Sequence, residues 1–118
     1  MTTIIVTPDR VRIELSVREK IGGLVRDLDV PASAVRSVSV VPDGLAAARG
    51  IRAPGLGIPG VRKIGTWRRR GEKTLVSVRR GRPAVLLLLD GARFDRVLVE
   101  VDQPQVYVDQ LRAMGVSA

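Results

Sequence analysis

Three groups of residues in this 118-residue chain have the types and spacing to do chemistry. Gly55-Leu-Gly-Ile-Pro-Gly60 has the G-x-G-x-x-G spacing that lets a backbone cradle phosphates at the start of a helix. Arg62, Lys63, Arg68, Arg69, Arg70, Lys73, Arg79, Arg80 and Arg82 gather cations able to hold the phosphates of a lipid or a nucleic acid. Asp90, Asp95, Glu100 and Asp102 are the carboxylates from which an acid–base pair would have to be drawn. The chain has no histidine and no cysteine, which removes disulfides, thiol nucleophiles, Cys or His metal ligands and the commonest general base.

The glycine motif lacks the setting that phosphate binding requires. A dinucleotide loop follows a strand and opens a helix, whereas here Pro54 precedes the motif, Pro59 interrupts it, and Val61 to Gly65 reads as another strand. Gly50 to Gly60 is therefore expected to be a loop, with Gly and Pro steering a long connection between sheets. No nucleotide, metal or other cofactor is expected. Asp90 and Asp102 fall at turn and helix-cap positions, so no catalytic residue is assigned and the chain reads as non-enzymatic.

The cations carry more information. From Leu45 to Leu89, eleven basic residues stand against Glu72 alone, while the rest of the chain has nine basic and eleven acidic residues; the whole carries +8. Seventeen of the 20 cations are Arg, which base composition explains as readily as recognition does. A basic middle so one-sided exceeds what solubility requires and predicts an anionic partner. An anionic lipid surface or an acidic protein fits. A nucleic acid ranks below them, because single-strand binders expose several stacking rings and this chain has one Trp, one Tyr and one Phe. Of these, Trp67 is expected in the core. Self-association is left open.

Ile4 to Thr7 reads as a first strand and Pro8-Asp9 as a turn. Val11, Ile13, Leu15 and Val17 then alternate with polar residues as a half-buried second strand. Arg18 to Leu24 offers a helical turn frayed by Gly22-Gly23, Val35 to Val41 is a third strand, and Leu45 to Arg49 is one helical turn at most. Arg62 to Arg70, Lys73 to Arg80, Ala84 to Leu89 and Asp95 to Val101 are separated by turn residues and predict a four-stranded antiparallel meander. Asp102 is placed to cap a last helix, with Pro104 in its first turn and Gln105 completing a box-like spacing. Its stripe of Pro104, Tyr107, Val108 and Leu111 would cover the β structure. The length suits a single domain over residues 1–118. The longest apolar run, Ala84 to Leu89, is far short of the ~20 residues a membrane span needs, and MTTIIVTPDR lacks a signal-peptide pattern, so a cytoplasmic chain is expected.

Seven strands followed by one helix, with Gly50-Ile-Arg-Ala-Pro-Gly-Leu-Gly-Ile-Pro-Gly-Val61, Ile64-Gly-Thr-Trp67 and Phe94-Asp-Arg-Val-Leu-Val99, resembles the bacterial pleckstrin-homology-like domains over nearly the whole chain. The resemblance implies two nearly orthogonal antiparallel sheets forming a partly open barrel, a helix plugging one end, and a binding or adaptor role, peripheral at the inner membrane face if the partner is lipid. Arg10-Val11-Arg12 matches the tail of the basic pattern across the first hairpin of lipid-binding members. No Lys precedes it, and Tyr107 is the only aromatic of the helix, where a Trp is usual; both argue against tight phosphoinositide recognition.

Overall fold

A computed structural model describes residues 2–23, 26–48, 51–58 and 62–117. The chain is mainly β, with nine strands among the described residues in two sheets and one long C-terminal helix. β1 (Thr3–Val6), β2 (Arg10–Glu14) and β3 (Leu28–Pro31) form a small antiparallel sheet in that order. Thr7 closes the first hairpin: its amide donates to the Arg10 carbonyl at 2.9 Å and its hydroxyl accepts from the Arg10 amide at 3.1 Å. Alternation then turns Val11 and Ile13 inward on β2 and Leu28 and Val30 inward on β3.

Two expectations fail in this region. Val17, read as the last inward residue of the second strand, instead begins α1 (Val17–Gly23) and points outward. The cause is local: Ser16 stops the strand by capping the helix. β3 was not expected, because four residues ending in Pro31 give a weak signal; Pro31 is tolerated where the short edge strand ends.

The second sheet has six strands in the order β4-β8-β9-β7-β6-β5. They are β4 (Val35–Val41), β5 (Ile51–Ile58), β6 (Arg62–Arg69), β7 (Glu72–Arg79), β8 (Ala84–Leu89) and β9 (Arg96–Val99). The expected loop at residues 50–60 is thus largely wrong: Ile51–Ile58 pairs antiparallel with β6. Gly50, Pro59 and Gly60 lie outside the described residues. A tertiary partner supplies the ladder that the Gly/Pro composition does not favour. The register slips between Arg52 and Gly55, so Pro54, which has no amide proton to give a ladder, sits at an irregularity on an edge strand.

The meander is also corrected. β6 and β7 are a hairpin, but β9 lies between β7 and β8, parallel to the first and antiparallel to the second. Residues 80–83 therefore step over two strand spacings, about 9.6 Å. The sheets are accordingly not all antiparallel, the strands among the described residues number nine where seven are expected, and neither sheet closes on itself.

One face of the large sheet meets the small sheet and α3 (Pro104–Ala113). Ile4, Val11, Ile13 and Val30 pack there with Val38, Leu75, Leu87, Val97 and Val99, and with Val108 and Leu111 of α3. The apolar stripe of that helix is borne out, but its cap is not. The residue before the first turn is Gln103, in left-handed backbone at φ 52°, with no side-chain cap, and Asp102 plays no part. On the opposite face Trp67, Val76, Val78 and Leu98 pack with residues of α2 (Gly44–Ala47) and with Ala48. The chain must cross this face to pass from β4 at one edge to β5 at the other. α2 runs so close to β7 that a Cβ at Gly44 would meet the Val78 side chain at 2.7 Å.

Candidate functional site

The basic residues are placed by the β6–β7 hairpin. Its two-residue turn, Arg70-Gly71, has φ of 49° and 78°, the primed geometry whose twist matches that of paired strands. Glycine adopts this freely; for Arg70 the left-handed backbone costs about 1 kcal/mol. From the turn the register runs Arg69 opposite Glu72 and Arg68 opposite Lys73, and at the far end Arg62 opposite Arg79.

The cations, expected near two consecutive turns and along neighbouring strands, fall into two groups. Arg68, Arg69, Arg70 and Lys73 surround the hairpin tip; Arg62, Lys63, Arg79, Arg80 and Arg82 gather at the other end. A strand rises about 3.3 Å per residue, so Lys73 and Arg79 lie about 20 Å apart, roughly two Debye lengths at 0.1 M salt. The groups act as separate charges.

Their surroundings differ too. Arg68, Arg69 and Arg70 are exposed and form no ion pair among the described residues. Lys73 is half-buried, its Nζ 4.9 Å from the centre of the Phe94 ring. At the other end Arg79 grips Glu100, its Nε 3.1 Å and 3.2 Å from the two carboxylate oxygens. These hydrogen bonds, then the Glu100 charge, raise the Arg79 pKa. Lys63 lies 5.8 Å from the ring centre of Trp67, which is 3% exposed and in the core, as expected. Arg80 and Arg82 are exposed.

Beside this second group is a cleft of about 260 Å³ lined by Thr2, Glu19, Arg62, Ser77, Arg79 and Glu100. Glu19, on α1, is its centre and is only 2% exposed. Ser16 and Glu19 form a reciprocal capping box. The Ser16 amide donates to Glu19 Oε1 at 3.0 Å, and the Glu19 amide donates to Ser16 Oγ at 3.2 Å. The other oxygen, Oε2, accepts from the hydroxyls of Thr2 and of Ser77 on β7. Burial pushes the Glu19 pKa up, but the Ser77 and Thr2 hydroxyls and the Ser16 amide outweigh it, and the carboxyl titrates below its ordinary value.

The cleft holds two guanidinium groups and two carboxylates, so its charges balance. Its chemistry is that of a clasp: an ionised Glu19 ties the start of α1 to β7. Sequence reasoning passed over Glu19, although Ser16-Val-Arg-Glu19 is the S-x-x-E pattern of a capping box and was there to be read. The glycine motif places Gly55 to Ile58 on β5, and the next described element is another strand. No family model matches the chain, and no curated protein or solved structure matches it. No helix among the described residues is long and apolar enough to cross a membrane.

Proposed function

We propose that the protein is a non-enzymatic binding module that docks on an anionic membrane surface through its exposed cations. The observation that carries this reading is the β6–β7 tip: three consecutive arginines, exposed and without an ion pair among the described residues, one of them in a backbone conformation that Gly or Asn would occupy at less cost. Spending stability to keep Arg70 at a tip favours a role for its charge. The resemblance to bacterial pleckstrin-homology-like domains supports a binding role on the coarser features, a two-sheet β body with a C-terminal helix; the parallel β7–β9 pair and the nine strands depart from it.

Lipid is favoured over nucleic acid by the aromatic side chains. Trp67 and Phe94 are buried and Tyr107 is half-buried against the core, which leaves no ring platform on which bases would stack. Each cation close to an anionic bilayer contributes about 1 kcal/mol, so the tip alone accounts for a weak, salt-sensitive attachment. Sedimentation with vesicles tests this. Vesicles containing phosphatidylserine should retain the protein at 0.1 M salt and release it at 1 M, where the Debye length is ~3 Å. Neutral vesicles should not retain it, and replacing Arg68, Arg69 and Arg70 together by Glu should remove most of the retention. Retention that ignores both salt and this substitution overturns the electrostatic reading.

A further inference from the structure

The helix α1 is amphipathic in the wrong sense for a surface helix. Its carboxylate, Glu19, is buried against Ser77, while Val17 and Ile21 are 69% and 70% exposed, the most exposed large aliphatic side chains described. At about 100° per residue, each lies about 160° around the helix from Glu19, so the pair forms a ridge pointing away from the sheet. Arg18 and Lys20 fall between, one on each flank. Arg18 is exposed with no ion pair among the described residues, and Lys20 shares Asp27 at 3.4 Å. A soluble surface helix does the reverse, and scattered exposed aliphatics do not usually come as an i, i+4 pair opposite a buried charge.

We infer that α1 is a membrane wedge: Val17 and Ile21 enter the outer layer of an anionic bilayer, and Arg18 and Lys20 stay at its phosphates. The occupant follows from charge complementarity. A bilayer supplies an apolar layer beneath a negative one, which matches an apolar ridge between cations. A second copy of this chain would set Arg18 and Lys20 of each molecule against their own kind, on molecules that each carry +8. α1 packs over β5 and β6 on the sheet side of Ser77, the side that the small sheet also covers, and alternation puts Arg62 and Arg79 on that side beside it. The inference rests on the docking reading above and names the part of the molecule that enters the lipid.

The absence of cysteine makes the test clean. Ile21→Cys is labelled with an environment-sensitive fluorophore, and Asp90→Cys, at the exposed turn after β8, serves as the control. Phosphatidylserine vesicles should blue-shift the label at residue 21 and leave the label at residue 90 unchanged. A nitroxide at a shallow acyl position should quench only the first. In unlabelled protein, Val17→Ser with Ile21→Ser should weaken partitioning about tenfold, given the area the two side chains lose from burial, while circular dichroism stays unchanged. Sedimentation with an unresponsive label overturns the wedge and leaves the docking reading standing. Failure of the unlabelled protein to sediment overturns both. A blue shift without vesicles that grows with protein concentration, or one elicited by an acidic soluble protein, assigns the ridge to a protein contact and overturns the wedge.

Discussion

The two longer helices of this protein are mounted in opposite ways. α3 has no side-chain cap and enters through a left-handed Gln103, yet buries Val108 and Leu111 in the main core. α1 has a reciprocal capping box and ties itself down with a buried carboxylate, yet leaves Val17 and Ile21 in solvent. α3 is held by apolar burial and needs little help at its ends. α1 is held by its first turn, which leaves its apolar residues unspent by the fold. Where a helix buries its charge and shows its aliphatics, the exposed face is the part to explain.

The sharpest way to break this contrast is Leu111→Ala. Truncating a fully buried leucine should cost about 2–5 kcal/mol, read as a lower urea midpoint with an unchanged slope. Val17→Ser with Ile21→Ser should move that midpoint by less than about 0.5 kcal/mol. If the exposed pair cost as much as Leu111, α1 would be a core helix and the contrast would vanish.

Glu19→Ala comes next. It removes a capping box and leaves the Ser77 and Thr2 hydroxyls without their acceptor in a buried setting, for about 2 kcal/mol. Acid should reach the same contact. The Glu19 pKa is lowered from 4.5 in the folded chain, so the unfolded chain takes up the proton first as pH falls. Its stabilisation is fully present above the unfolded value and is lost as pH drops through the folded one. Urea titrations at pH 7 and at about pH 3.5 should therefore show a loss in the native protein that is reduced in Glu19→Gln. Part of the loss should persist in that variant, because Asp27, partly buried but held by the Leu15 amide, Lys20 and Arg12, is also lowered and has the same sign. An unaltered acid loss in Glu19→Gln would mean that Glu19 contributes nothing as a charge.

The smallest expected effect belongs to Asp102→Ala. Asp102 caps nothing, so thermal denaturation should shift by no more than about 0.5 kcal/mol equivalent, against about 1 kcal/mol for loss of a working cap. A full-sized loss would mean that α3, like α1, depends on its first turn.

These two helix starts also show what the sequence makes legible. The stripe of α3 is readable because burial imposes its spacing on residue types; its cap is not, because Asp102, Pro104 and Gln105 only resemble a signal whose geometry depends on the turn from β9. The strands at β1 and β4 and the alternation of β2 as far as Leu15 are local and survive in the structure, as does the β6–β7 hairpin, whose turn lies at Arg70-Gly71, one residue before the Gly71-Glu72 that the sequence suggests. β5 is hidden, since its ladder comes from β6 and its own Gly and Pro argue for a loop. The parallel pairing of β7 with β9 is hidden for the same reason, as no local pattern names a partner. The basic residues are legible by type, but their division into two groups depends on which ends of β6 and β7 carry them. Glu19 was legible through its S-x-x-E spacing; that Val17 and Ile21 face outward follows only once Glu19 is known to face in.

The place of β9 has a consequence for synthesis and folding. Of the six strands of the large sheet it is the last to leave the ribosome, yet it fills the gap between β8 and β7 at the centre of that sheet. Until residues 96–99 emerge, β4–β8 and β5–β6–β7 are two ribbons, each with a raw edge of unpaired amides and carbonyls facing the vacant slot. Between the emergence of β8 and that of β9 the nascent chain thus holds two adhesive edges, and one insertion seals both. The large sheet is assembled like an arch, its central stone placed last, so its halves gain their shared stability in one late step and not strand by strand.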